Sequence, residues 1–125
     1  MSDVDENYVY PSGPGFVMPD YSLETALASV GPGWAEIVEG LWRLCKAQDP
    51  PVTVSQVKEK YGTLRFYVHG APMIIHDAID GAERRSGRTC EVCGNRGVFR
   101  ARGRWYMTRC EEDAEGSVVV SEKAR

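Results

Sequence analysis

The chain has 125 residues, 42% of them hydrophobic, and a formal net charge of −3. That length suits one domain, or a small core carrying an attached metal knuckle. No window approaches the roughly eighteen uninterrupted apolar residues of a membrane span, and the acidic start from Met1 to Asn7 lacks the features of a secretory signal, so a cytoplasmic protein without membrane contact is expected.

Charge is segregated along the chain. Residues 1–39 hold seven acids and no lysine or arginine, and residues 40–83 balance. From Arg84 to Arg109 eight arginines face a single acid, Glu91, and residues 110–125 return to −3. Such a distribution implies either a surface that faces a polyanion or attraction between the two ends of the chain.

Residues 1–21 read as an extended arm. Pro11, Gly13, Pro14, Gly15 and Pro19 oppose regular structure, while Tyr8, Tyr10, Phe16 and Tyr21 offer anchors on a surface, either within the molecule or on a second copy. Asp20 or Ser22 caps a short helix to about Ser29. Gly31-Pro32-Gly33 interrupts the chain, and a helix follows from Trp34 to about Lys46. Its apolar face collects Trp34, Ile37, Val38, Leu41, Leu44 and Cys45 at helical spacing. Cys45 reads as a small buried hydrophobe. Gly40, in mid-helix, costs about 1 kcal/mol relative to alanine, which predicts close packing there.

Asp49-Pro50-Pro51 ends that helix. Strands are expected over Val52–Lys60 and Thr63–His69 around a turn at Tyr61-Gly62, since Leu64, Phe66 and Val68 alternate with Arg65, Tyr67 and His69. Lys58, Lys60, Arg65 and Tyr67 form a cluster suited to an anionic ligand or a partner. A third helix runs from Pro72 to Gly87 with a narrow face of Ile75, Ala78, Ile79, Ala82 and Ser86. Val98-Phe99-Arg100 and Arg104-Trp105-Tyr106-Met107 read as a small hairpin, and Val118-Val119-Val120 as an edge strand or a tail.

The strongest chemical signal is Cys90-Glu-Val-Cys93 with sixteen residues separating Cys93 from Cys110. A C-x2-C pair and a second knuckle across a hairpin are the parts of a tetrahedral zinc site. Counting on from Cys110 puts the fourth ligand at Asp113, with Glu112, His69, His76 or water as competitors. Thiolates suit zinc, and the role expected is structural. Residues 88–113 hold few large apolar side chains beyond Phe99, Trp105 and Met107, whereas zinc supplies on the order of 10 kcal/mol of folding free energy. Metal spacing in three of the four cysteines also argues for a reducing compartment over a disulfide framework.

The expected architecture is α+β: an arm over 1–21, a helix–hairpin–helix core over 22–87, a zinc-ribbon-like knuckle over 88–115, and a tail or edge strand over 116–125. No nucleophile elbow, zinc-protease helix, phosphate loop or deaminase H-x-E motif is present, so a non-enzymatic role is expected. Arginine binds phosphate through paired hydrogen bonds, and Phe99, Trp105 and Tyr106 offer stacking faces. Arg84, Arg85, Arg88, Arg100, Arg102 and Arg104 therefore join the hairpin cluster as candidate contacts for nucleic acid or an acidic protein surface. The alternative is a nucleotide held by Arg65, Arg84, Arg85 and Arg88 with Tyr67 on its base.

The segment Val57-Lys-Glu-Lys-Tyr-Gly-Thr-Leu-Arg-Phe-Tyr67, a helix, and then Arg88-Thr-Cys-Glu-Val-Cys-Gly94 resemble a group of small uncharacterised bacterial and bacteriophage proteins. Their recurring text is similar to K-E-K-[FY]-G-x-L-R-F-Y with a C-terminal C-x2-C and C-x2-H. The resemblance covers about residues 34–115 and differs where Asp113 stands in place of histidine. It carries no established activity. It implies a phage-encoded protein that binds a component of the host cytoplasm, or one that sits in an assembled particle.

Overall fold

The computed structural model describes residues 19–120. All but the last three positions of the expected arm, and residues 121–125, lie outside the described residues. Helix α1 is Leu23–Ala28, and a 3-10 turn over Pro32–Trp34 leads into α2, Ala35–Lys46. The hairpin strands are β1, Thr53–Lys60, and β2, Thr63–His69, followed by α3, Met73–Ser86. Strands β3, Val98–Arg102, β4, Trp105–Arg109, and β5, Val118–Val119, complete the order. The described residues are thus mixed α+β, with three α-helices and two small antiparallel sheets.

The apolar stripe of α2 packs against the inner face of the hairpin and against α3. Trp34, Val38, Cys45, Val54, Leu64 and Ile75 are fully buried. In a regular strand Val54 and Val57, three apart, would point to opposite faces. An irregularity at Ser55 re-phases β1 so that both enter the core. The hairpin closes on Tyr61 and Gly62, whose φ values of 51° and 80° are those of a type I′ turn, the one whose twist matches the flanking strands.

Helix α3 covers the outer edge of β2. Ser86 Oγ accepts the Leu64 N–H at 2.9 Å, and Glu83 Oε2 accepts that of Phe66 at 3.3 Å. This explains the serine on the apolar side of α3: buried strand-edge amides need an acceptor. The close packing expected at Gly40 is not found. A Cβ there would meet nothing within 4 Å, because the glycine lies on the exposed side of α2.

The second sheet has the order β4-β3-β5. Val118 and Val119 pair with Ala101 and Arg100, so the end of the described chain is an edge strand. The β3–β4 turn is two residues, Gly103-Arg104, with Gly103 at φ 62°. This sheet rests on the tip of the first hairpin. Thr108 Oγ1 donates to the Gly62 carbonyl at 2.6 Å, and Tyr61 meets Tyr106 edge-on with ring centroids 6.3 Å apart. No helix among the described residues is long and apolar enough to cross a membrane.

Candidate metal centre

Two knuckles supply the site. The first lies between α3 and β3, where Gly94 N–H bonds to the Cys90 carbonyl at 2.9 Å and Gly94 adopts φ 84° to turn the chain back. The second follows β4, where Asp113 N–H bonds to the Cys110 carbonyl at 3.2 Å. The β3–β4 pairing sets the two face to face, with Val98 at the end of β3 opposite Arg109, which precedes Cys110.

The three Sγ atoms and a carboxylate oxygen of Asp113 lie within 4.8 Å of one another, close enough to hold one metal ion. Cys93 and Cys110 Sγ are 3.6 Å apart, and Asp113 Oδ2 is 3.1 Å from Cys110 Sγ and 3.3 Å from Cys90 Sγ. A tetrahedral ion with metal–sulfur bonds near 2.3 Å would set sulfur–sulfur edges of about 3.8 Å and slightly shorter sulfur–oxygen edges. These three edges are a few tenths of an ångström tighter than that, and all four atoms lie within the span that one ion can bridge. Glu112, His69 and His76, the other candidates for the fourth place, are outside this cluster.

The protonation states fit the same reading. Burial pushes the Cys90 thiol up, but N–H groups of Cys93, Cys110 and Val92 outweigh it and hold the pKa below its ordinary value. Cys110 is pushed up to about 12, chiefly by the Asp113 carboxylate that its thiol faces, with burial adding to the effect. The thiols of Cys110, Cys93 and Cys90 in turn hold the Asp113 carboxyl below the usual carboxylate range. Four such groups cannot all ionise together unless a cation shares their charge.

What holds the knuckles in place was not apparent from motif spacing. Gly31-Pro32-Gly33 reads as a break between helices, yet it forms the seat of the first knuckle. A Cβ on Gly31 would lie 2.2 Å from the Glu91 carbonyl oxygen, and one on Gly33 would lie 2.0 Å from that of Cys90. Gly33 N–H donates to the Glu91 carbonyl at 2.9 Å, and the buried Trp34 indole N–H donates to that of Thr89 at 2.8 Å. Gly97 is equally confined, its Cβ position being 2.7 Å from Cys90 N.

Arg109 is the second omission. Its guanidinium bonds Glu91 Oε1 at 3.0 Å, Glu115 Oε2 at 2.9 Å and the Asp113 carbonyl at 3.2 Å, tying both knuckles and the segment after them. The one sequence signal for it was Glu91, the single acid in the arginine block. Cys45, by contrast, is fully buried in the core and its thiol is pushed up by that burial, as expected of a packing residue.

The basic candidates divide into groups. Register places Lys58 opposite Arg65, Lys60 opposite Thr63 and Gln56 opposite Tyr67, so Lys58, Lys60, Arg65 and Tyr67 share the outer face of the hairpin. Beside it a groove of about 580 Å³ is lined by Thr63, Arg65, Asp80, Glu83, Arg84 and Arg88, among others. Arg84 and Arg88 are exposed and have no ion pair among the described residues. The remaining candidates do not join this face. Arg85 pairs with Glu36 of α2 at 3.5 Å, because it points to the other side of α3. Arg100 is buried and donates to the Arg109 carbonyl, Arg102 donates to that of Glu115, and Arg104 sits in the β3–β4 turn.

No protein-family model, curated protein or solved structure matches the chain.

Proposed function

We propose that the cysteine–aspartate cluster is a structural zinc site, and that the protein is a non-enzymatic binding module for a single nucleic-acid strand. Three sulfurs and a carboxylate are a chemically acceptable zinc set, and four such ligands on one ion would complete a tetrahedral shell with no position left for a reacting water. Zinc in that place staples the β4-β3-β5 sheet to the helix–hairpin core, as in a zinc ribbon.

The observation that carries the binding assignment is the hairpin's outer face. Lys58, Lys60 and Arg65 form a basic track that continues into Arg84 and Arg88 along the groove. At the tip of the same hairpin Lys60 lies 5.7 Å from the Tyr61 ring, and the aromatic series continues through Tyr106 to Phe99, stacked at 5.3 Å. Trp105, two-thirds exposed, adds a further apolar face on the β3–β4 hairpin. Cations along a track with aromatic faces at one end are the elements that hold phosphates and stack bases without reading sequence.

Glu83 engages Arg65 at 3.9 Å, and a strand laid along the track is taken to make about four phosphate contacts. For single strands this corresponds to a log–log salt slope near −3, or roughly a 50-fold loss of affinity between 50 and 200 mM salt. Fluorescence anisotropy with a labelled oligonucleotide measures it. Absence of binding at the lowest salt would dismiss the assignment.

The groove supports a narrower second reading, a nucleotide held by Arg65, Arg84 and Arg88. A melting-temperature rise that grows with nucleotide concentration would favour it, and a flat response would remove it.

A further inference from the structure

The outer edge of the cysteine–aspartate cluster carries a chemistry that a purely structural staple does not use. Cys93 is exposed, in a turn where Val92, Gly94, Asn95 and Arg96 are exposed as well. Cys90 and Cys110 are buried, at 0% and 8% exposure. A small polar oxidant therefore reaches the Cys93 sulfur before the other two. Cys45 is sealed in the core and takes no part.

The Cys93 sulfur has a partner at hand. Cys110 Sγ is 3.6 Å away on the opposite knuckle, and a tetrahedral zinc site would hold the same two sulfurs about 3.8 Å apart, so they are neighbours with or without an ion. Cys90 is less free to respond. Its N–H donates to the Asn95 carbonyl at 2.7 Å, its carbonyl accepts the Gly94 N–H at 2.9 Å, and the Gly33 backbone lies against that carbonyl. Thiols that ligate zinc are ionised, and the thiolate is the form that oxidants attack.

We propose that Cys93 and Cys110 form an oxidation site, at which a peroxide closes a disulfide and empties the metal centre. This rests on the zinc reading of the cluster. The Cys93 thiolate attacks one peroxide oxygen: a sulfur–oxygen bond forms, the oxygen–oxygen bond breaks, and hydroxide leaves. The Cys110 thiolate then attacks the Cys93 sulfur: the disulfide forms, the sulfur–oxygen bond breaks, and a second hydroxide leaves. The sulfur pair loses two electrons and the peroxide gains them. Cys90 and Asp113 remain, two ligands in place of four, too few to retain zinc. The new bond joins the same two knuckles, so the β3–β4 hairpin stays closed, and a thiol reductant restores the site.

Hydrogen peroxide titrated into the zinc-loaded full chain tests this, with zinc release followed by a metallochromic indicator and disulfides mapped by mass spectrometry. Glu91 lies between Cys90 and Cys93, so cleavage after glutamate separates their peptides. The expected result is one Cys93–Cys110 link per zinc released, within the monomer, with Cys90 and Cys45 still open to alkylation after denaturation. Zinc binding should return after dithiothreitol. A Cys90–Cys93 link, a sulfinic acid at Cys93 beside an unreacted Cys110, or a disulfide formed with zinc retained would each overturn the proposal. The same titration on the chelator-stripped chain separates it from the zinc assignment. A link that forms there but not in the zinc-loaded chain shows that zinc shields the thiols, which overturns the oxidation site and leaves the zinc assignment standing. A link that forms in a chain unable to take up zinc keeps the oxidation site and removes the metal. No link in either chain overturns the site outright.

Discussion

Replacing Gly33 with alanine isolates the seat of the first metal knuckle. Gly33 lacks a positive φ, so alanine meets no backbone strain there and the effect is steric alone. The added Cβ would stand 2.0 Å from Cys90 O, 2.6 Å from Gly94 N and 2.7 Å from Glu91 C, all backbone atoms of the knuckle. Ordinary contact requires the Cys90 oxygen to retreat by more than an ångström and the other two atoms by somewhat less, which also breaks the Gly33–Glu91 hydrogen bond. Overpacking of this kind costs about 1–3 kcal/mol and the lost bond about 1 more, for a total near 2–4 kcal/mol. Because the displaced atoms carry Cys90 and Cys93, metal retention should fall with stability. Denaturant titration and zinc release against a graded chelator series measure the two. Gly40→Ala is the control: its Cβ meets nothing, so helix propensity alone should stabilise by roughly 0.5–1 kcal/mol. A Gly33→Ala protein that matched the parent in both assays would show that the knuckle does not sit on Gly31-Pro32-Gly33.

Asp113→Ala should lower zinc affinity by more than the roughly 100-fold typical of lost outer-shell partners, and unchanged zinc content under chelator would place the fourth ligand elsewhere. Cys93 and Cys110 both have raised thiol pKa values before metal binds, so zinc uptake must displace at least their two protons. Apparent affinity should then fall about 100-fold for each unit that pH drops below neutral, and chelator competition at pH 6, 7 and 8 would expose a pH-independent site. Burial raises the Asp20 carboxyl, but the Lys46 ammonium and the Val54 N–H outweigh it and hold the pKa below normal. Its contribution is present above the unfolded value near 3.9 and is lost as pH falls through the lower folded value. Asp20→Ala should therefore cost about 1 kcal/mol at pH 7, and the difference from the parent should vanish under strong acid; a gap that persisted there would assign the loss to packing.

The local elements and the members of the cysteine–aspartate cluster were legible in the sequence because each depends on near neighbours. Helical spacing marks the buried face of α2, period-2 alternation marks β2, and Tyr61-Gly62 supplies the φ values its turn requires. Three cysteines at knuckle spacing, with Asp113 counted on from Cys110, delimit the cluster that could hold a metal without any long-range information. Contacts between distant segments were not legible, because the same residue types serve either purpose. A glycine that breaks a helix looks the same as one that admits another backbone, so only tertiary packing shows that Gly33 seats the knuckle and that Gly40 packs against nothing. The eight arginines from Arg84 to Arg109 form one block in the chain and several groups in space. Helix phase turns Arg85 away from Arg84 and Arg88, while strand pairing buries Arg100 and brings Arg109 onto Glu91. What remains on the hairpin face is chosen by register, which depends on where Ser55 lets β1 slip by one residue.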